Sequence, residues 1–441
     1  MILLALIILV ACFAFLAWRN FVFSVAILLF FLPLYQWRFS VFDIPFTVLE
    51  MLLCVCILVW IAGRRKNGGR PLAELPWRWA LLLFAISATI AVFVSPDHVS
   101  ALGYLKAYFF EPMLFFIFLW DTVRSERQIR LLLYALGAAV LVYSLVAFLQ
   151  YLGILPSLQP WITETPKRVV SVYDFPNALA LFVTPLLGLF ASFALLPSSL
   201  QQRRMAAWFP WGVLVVGCAG LVFVLSRGAL MAIVALAVFF GIMSRYRRWV
   251  FLALALAFTF VLLFHGTRTI LFGIVRGTDT STDVRYVLWQ GTINLLRARP
   301  IVGAGLGGFP IVYDHYRLIK HVELLQYPHN IILNMWVEIG LAGLLLFCWL
   351  LVDAFRRGIT LLRTATLSPF GRQLVVGTLA ALIALIVHGM VDVPYFKNDL
   401  AVEFWFLLAL IPLAGRLRSD QHRVLDQPFV GASPQEKAGQ K

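Results

Sequence analysis

The sequence predicts an all-α, polytopic integral membrane protein with about 12–13 transmembrane helices and a long external loop that carries an amphipathic helix. Three observations carry this reading. The 441-residue chain is 62% hydrophobic and 13% charged, with a mean hydropathy of +0.90, whereas a soluble domain is nearer half apolar and a quarter charged. So few charges cannot cover a water-facing globule of this size. Apolar runs near the ~20 residues that a membrane helix needs recur along the chain. Basic clusters punctuate those runs after every second span, as a consistent topology requires. The net charge of +15 therefore reads as orientation in a bilayer, not as a nucleic-acid surface.

The spans start near Ile2, Phe21, Pro45, Trp77, Tyr104, Leu131, Asn177, Ala206, Ala229, Trp249, Ile331, Gln373 and Leu400. The first two are short and can be read as one imperfect hairpin. The N-terminal run lacks the charged n-region of a signal peptide and leads through WRNFVF into further apolar sequence, so it is read as a retained span. Cys12, Cys54, Cys56, Cys218 and Cys348 all fall inside apolar runs and read as small buried hydrophobes. One side of the membrane carries Arg64-Arg65-Lys66 with Arg70, then Arg124, Arg127 and Arg130, then Arg203-Arg204. It continues with Arg245, Arg247 and Arg248, then Arg356, Arg357 and Arg363, and finally Arg416 and Arg418. By the positive-inside rule that side is cytoplasmic.

The opposite side holds the loop from Gly153 to Pro176, the turn at Ser226-Arg227, the longest loop (roughly 265–330) and the VDVPYFKND turn. Residues 1–415 read as a single transmembrane domain, and 416–441 as a cytoplasmic tail of disordered composition. There is no fixed-period repeat, and the inverted halves of many transporters are not visible. Within the long loop, TSTDVRYVLWQGTINLLRARP reads as an amphipathic helix lying along the outer membrane surface. Thr282 or Asp283 can cap it, Val284, Val287, Leu288 and Leu295 share a face, and Pro300 stops it. The next stretch, IVGAGLGGFP, carries G-x-G-x-x-G on Gly303, Gly305 and Gly308. A dinucleotide fingerprint must leave a strand and open a helix within a βαβ unit. Here it follows a helix-stopping proline in a membrane protein, so it reads as a tight, backbone-exposed turn.

The candidate chemistry lies on the external side, where basic residues ought to be scarce. Lys106, Lys167, Arg168, Arg227, Arg285, Arg317 and Lys320 all fall there. Arg227 interrupts LVFVLSRGALMAIVALAV. An arginine at membrane depth costs ~2.5–3.5 kcal/mol on insertion scales and normally faces a polar cavity or an anion. The alternative is an interfacial side chain that caps a turn. Arg168 alone can be an interfacial anchor, and Arg285 alone a solvated residue of the amphipathic helix. Three guanidiniums on one membrane face nevertheless suit a multiply charged anion, because their forks match phosphate oxygens. His329, at the outer mouth of a span in QYPHNIILNMWVEIGLAGLLLF, is a candidate proton acceptor. Lys106, Glu338 and Arg317 are supporting candidates. His388 and Asp392, one helical turn apart in VHGMVDVPYF, are expected to pair structurally. No metal-ligand motif is present, and no cofactor is expected.

Together SRGALMA, R-x-x-x-W followed by RPIVGAGLGGFP, and PHNIILNMWVEIGLAGLLLF resemble the O-antigen ligase and polysaccharide polymerase superfamily. RVVSVYDFPNALA is similar to that family's R-x-x-G-x-x-x-x-PN-x-x-A segment, with serine or tyrosine where the glycine often is. The resemblance covers roughly 168–347, in order. It implies a helical glycosyltransferase of the bacterial inner membrane that works on the periplasmic face without a metal. Its donor would be a glycan on a polyprenyl diphosphate and its acceptor a lipid or another glycan. Carried over, Arg168, Arg227 and Arg285 would hold the diphosphate and His329 would be the base. A transporter or flippase of lipid-linked saccharides could use the same arginines and is the alternative.

Overall fold

The computed structural model describes residues 2–41, 44–163, 165–196, 208–244, 280–318, 325–364 and 367–417, with isolated residues between 247 and 259. Within them the helices run in the order α1 Ile2–Arg19, α2 Phe21–Phe30, α3 Val48–Asn67, α4 Arg78–Val94, α5 His98–Thr122, α6 Glu126–Tyr151 and α7 Pro176–Leu195. There follow α8 Trp208–Val224, α9 Arg227–Met243, α10 Thr280–Ala298, α11 Phe309–Tyr313, α12 Ile331–Arg363, α13 Pro369–Gly389 and α14 Asn398–Ala414. The basic residues Arg203, Arg204, Arg245 and Arg418, the tail beyond 417, Lys320 and much of the loop before α10 lie outside the described residues.

The all-α reading holds, with one correction. A short antiparallel hairpin, Arg38–Val41 with Ile44–Thr47, occupies the start of the span predicted from Pro45, so α3 begins at Val48. Thr47 supplies the reason: its hydroxyl caps Glu50 N–H at 3.2 Å, and the Glu50 carboxylate returns to Thr47 N–H at 2.7 Å. This reciprocal box ends the extended chain and starts the helix. Among the described residues only five helices, α5, α6, α7, α12 and α13, are long and apolar enough to cross a membrane, and α1, α2, α4, α8 and α9 are shorter apolar helices. A 17-residue helix such as α8 reaches only about 25 Å at ~1.5 Å per residue, below the ~30 Å of a hydrocarbon core.

The polarity of the bundle is that of a protein in lipid. Large apolar side chains such as Phe93, Val99, Val215, Val222 and Val352 face outward, while Glu111, Asp121, Asp353, Asp392, Asp399 and Glu403 are buried. Among the described residues the basic clusters assigned to one side gather as expected. Arg64 pairs with Asp121 at 2.8 Å, the Arg70 guanidinium bonds Trp120 O, and Arg416 donates to the same carbonyl at 3.0 Å. Arg356 and Arg357 pair with Asp353. All of these lie at the ends of α5, α12 and α14 opposite to the ends that carry Glu338, His329 and Asn398.

The glycine turn is buried, not backbone-exposed: Ala304, Leu306 and Phe309 have no exposure. It splices into α12 at a break where Ile339 and Gly340 leave helical geometry. A straight helix would pair Leu341 N–H with Val337 C=O. Here Leu341 N–H donates to Ile301 O at 2.9 Å, and Val337 O accepts from Ala304 N–H at 2.8 Å. Glu338 accepts Gly307 N–H at 2.5 Å, and Leu306 N–H reaches Ala91 O of α4 at 3.1 Å. Non-helical backbone at membrane depth survives only when such partners satisfy it. The amphipathic helix α10 packs on this turn. Leu288, Leu295 and Leu296 bury against Phe309, Tyr313 and Val337, so its apolar face is covered by protein, not laid on lipid as expected. Its start at Thr280 also puts Thr282 and Asp283 inside the first turn and not at the cap.

Gly305 has φ +82, and a Cβ there would lie 2.4 Å from Ser95 N. Gly305→Ala is therefore expected to cost roughly 1–3 kcal/mol from the left-handed strain alone, with a backbone clash added. Thermal unfolding of the purified variant in detergent should show a clear loss. Wild-type stability would mean that the turn is not seated against α4 as described.

Candidate functional site

The side chains singled out in the sequence converge where α7, α9, α10 and α12 begin and α8 and α13 end. Arg168 precedes α7. Its Nε donates to Val224 O at 3.1 Å, the last carbonyl of α8, where a cation suits the negative helix end. Its Nη2 donates to Asn177 Oδ1 at 3.0 Å, and Asn177 Nδ2 passes the contact on to Asp392 Oδ2 at 3.1 Å. Asp392 Oδ1 meets His329 Nδ1 at 3.2 Å and accepts Val393 N–H at 2.9 Å. Arg168, Asn177, Asp392 and His329 thus form one continuous polar chain.

Arg227 is exposed at the first turn of α9, and Ser226 caps that helix through Ala229 N–H at 3.4 Å. Its neighbour Gly228 packs so closely on His388 that a Cβ would fall 2.3 Å from the ring. The Arg285 charge also acts on the His388 ring, so the first turn of α9, through Gly228, and Arg285 of α10 bear on the same histidine. Asp392 is 2% exposed. Burial alone would raise its pKa, but the His329 hydrogen bond and the charges of His329, His388 and Lys397 hold it below the usual carboxylate range. A lowered folded pKa stabilises the fold above the ordinary value of ~3.9 and loses that contribution only as acid takes the pH below it.

His329 itself is held from several sides. The Tyr327 ring lies 4.6 Å away, centroid to centroid. Trp289 Nε1, one turn after Arg285, donates to Pro328 O at 2.8 Å. Asn330 caps α12 through Ile332 and Leu333 N–H at 3.0 and 3.1 Å, and its amide donates to Met390 O at 2.9 Å. His329 sits at φ +47, Leu225, just before Ser226-Arg227, at φ +56, and Ser171 at φ +57. Left-handed non-glycine residues cost ~1–3 kcal/mol and collect at functional sites. Ser171 answers the departure seen in RVVSVYDFPNALA. It takes the backbone shape that glycine takes freely, held by Gln150, which accepts Ser171 N–H at 2.7 Å, and by its own Oγ donating to Tyr143 O at 2.6 Å.

One expectation changes. Asp392 bonds His329 and not His388, because α13 ends at Gly389 and the two residues do not share a helix. The ring nitrogens of His388 have no hydrogen bond among the described residues. Lys106 is tied to Glu50 at 3.3 Å and lies over Phe46, and Arg317 pairs locally with Asp314 at 3.0 Å. Glu338 serves the glycine turn. None of these three contacts joins the polar chain. Asn177 and Trp289 were not picked out, although PN and R-x-x-x-W already contained them.

A family model described as O-antigen ligase matches residues 212–348, a stretch that contains Arg227, Arg285 and His329. The match supports a place in the O-antigen ligase superfamily over that stretch. Similarity to that family suggests glycan transfer of the ligase or polymerase kind for this multi-pass membrane protein. Arg168, Asn177 and Asp392 lie outside the matched stretch of the O-antigen ligase family, and the hydrogen-bond chain connects them to it. No curated protein matches the chain.

The Trp289–Pro328 bond gives a direct test. A net hydrogen bond contributes only ~0.5–1.5 kcal/mol to stability, so Trp289→Phe should fold. Releasing the segment before His329, a candidate base, should lower kcat about tenfold, since misplacements of ~1 Å in an active site cost up to ~10²-fold. An unchanged kcat would show that His329 is positioned without Trp289.

Proposed function

We propose that the protein transfers a glycan from a polyprenyl-diphosphate carrier to an acceptor hydroxyl at the periplasmic face of a bacterial inner membrane, in the manner of an O-antigen ligase or polysaccharide polymerase. The observation that supports this best is the Arg168–Asn177–Asp392–His329 chain, flanked by Arg227 and Arg285. It sets candidate anion ligands beside a candidate base.

In this reading Arg168, Arg227 and Arg285 hold the diphosphate. As the bond between the anomeric carbon and the diphosphate oxygen breaks, negative charge gathers on the leaving group, and preformed guanidiniums stabilise it more than in the ground state. The acceptor oxygen forms the new bond from the opposite face, with inversion, and gives its proton to His329. Because Nδ1 faces Asp392, Nε2 receives that proton, and the carboxylate stabilises the imidazolium that results. The acceptor is lipid or glycan. A transporter of lipid-linked saccharides would use the arginines but would have no need of a His329–Asp392 pair.

The test is transfer in detergent by purified protein, with lipid-linked donor and acceptor and no membrane to cross. His329→Ala should lose ~10²–10⁴-fold in rate, the range of a general base, while donor binding survives. A transporter would transfer nothing in this assay even as wild type, and normal turnover by the variant would remove the base. Arg227→Lys should also lose most activity, because a point charge cannot reproduce a bidentate fork. Sidedness is checked separately. In a cysteine-free background, cysteines at Thr280 and Asn67 should respond oppositely to an impermeant thiol reagent in spheroplasts. Labelling at 67 alone would place the site in the cytoplasm.

A further inference from the structure

At the end of the bundle remote from His329, the last turns of α1, α3 and α5 enclose a groove of about 430 Å³, lined among others by Trp18, Trp60, Arg64, Lys66, Asp121 and Arg124. Its charge is unbalanced. Arg64 and Trp60 Nε1 both bond the Asp121 carboxylate at 2.8 Å, which neutralises the one acid in the lining. Lys66 and Arg124 are exposed and have no acidic partner among the described residues. Next to them the Arg70 guanidinium reaches the carbonyls of Trp120 and Val123. Burial first, and then the nearby Arg124 charge, lower the Arg70 pKa against the opposing pull of Asp121 and Glu74. Three helix C-termini meet here, each worth roughly −0.5 of a charge, and the cations outweigh them.

The rest of the lining fits a membrane interface. Trp18 is 60% exposed and its neighbour Phe15 68% exposed, as in the aromatic belts where indole rings sit at headgroup depth. A soluble anion would find cations here but no use for that apolar rim. A lipid phosphate would find both, and basic recesses between transmembrane helices hold such headgroups. We propose that this groove binds the phosphate headgroup of an anionic phospholipid, through Lys66 and Arg124, with its acyl chains along Trp18 and Phe21. It is separate from the candidate site and holds a structural lipid, not a substrate.

The experiment uses the full chain in nanodiscs of phosphatidylcholine with a minor fraction of phosphatidylglycerol, and native mass spectrometry of the lipid retained on release. The wild type should retain phosphatidylglycerol in preference to phosphatidylcholine. Lys66→Gln/Arg124→Gln should weaken that retention roughly 30-fold, about fivefold per cation removed, and Lys66→Arg/Arg124→Lys should preserve it. Arg64 is left intact because it serves Asp121. Raising the salt should weaken the wild-type preference, a readout that needs no variant. Retention unchanged by the glutamine pair, or no preference over phosphatidylcholine, would overturn the proposal. Displacement of phosphatidylglycerol by an equal concentration of inorganic phosphate would overturn the lipid as the source of the anion.

Discussion

The site depends on a buried carboxylate that has to be paired. An ionised group with 2% exposure is expensive unless its lone pairs are taken. Asp392 satisfies its own through three segments far apart in sequence: His329 before α12, Asn177 at the head of α7 and the backbone of its own turn. Meeting that demand fixes the register of α7, α12 and α13 relative to one another. Through Asn177 it also fixes Arg168, which in turn occupies the end of α8. An electrostatic requirement of one side chain therefore becomes the geometry of the proposed reaction centre.

A second constraint is set by the membrane. Backbone that leaves the helix must be satisfied by protein, and the glycine turn meets this by exchanging partners with the broken α12. Left-handed φ at Gly303, Gly305 and Gly307, with backbone atoms where any Cβ would fall at the first two, explains why glycine stands there. The exchange seats α10 beside α12, which brings Trp289 to Pro328 and Arg285 towards His388. The G-x-G-x-x-G pattern is thus a joint between helices, with no nucleotide role.

Much of this was legible in the sequence, and the rest was hidden for identifiable reasons. A charge interrupting an apolar hairpin marked Arg227, cations on the external side marked Arg168 and Arg285, and a place at the mouth of a span marked His329. The Asp392 partner was misread because helical spacing over VHGMVDVPYF assumed a helix that stops at Gly389. Lys106 and Arg317 were visible as external cations, but their acids were not. Glu50 is brought to Lys106 by tertiary packing, and Asp314 is a local neighbour on a short turn. The surface placement of α10 failed for a related reason: amphipathicity reports an apolar face without saying whether lipid or protein covers it. The hairpin before α3 rests on one capping box and two four-residue strands, too little pattern to stand out beside the apolar runs.

The central claim is that His329 and Asp392 act as one unit in proton transfer. A double-mutant cycle tests it most directly, with His329→Ala, Asp392→Asn and the pair compared in the purified transfer assay. Groups that work as a unit are strongly non-additive. The double variant should be no slower than His329→Ala alone, because the carboxylate has nothing to orient once the imidazole is gone. Losses that multiply in the double variant would show that Asp392 serves the fold or the donor independently, and would contradict the account.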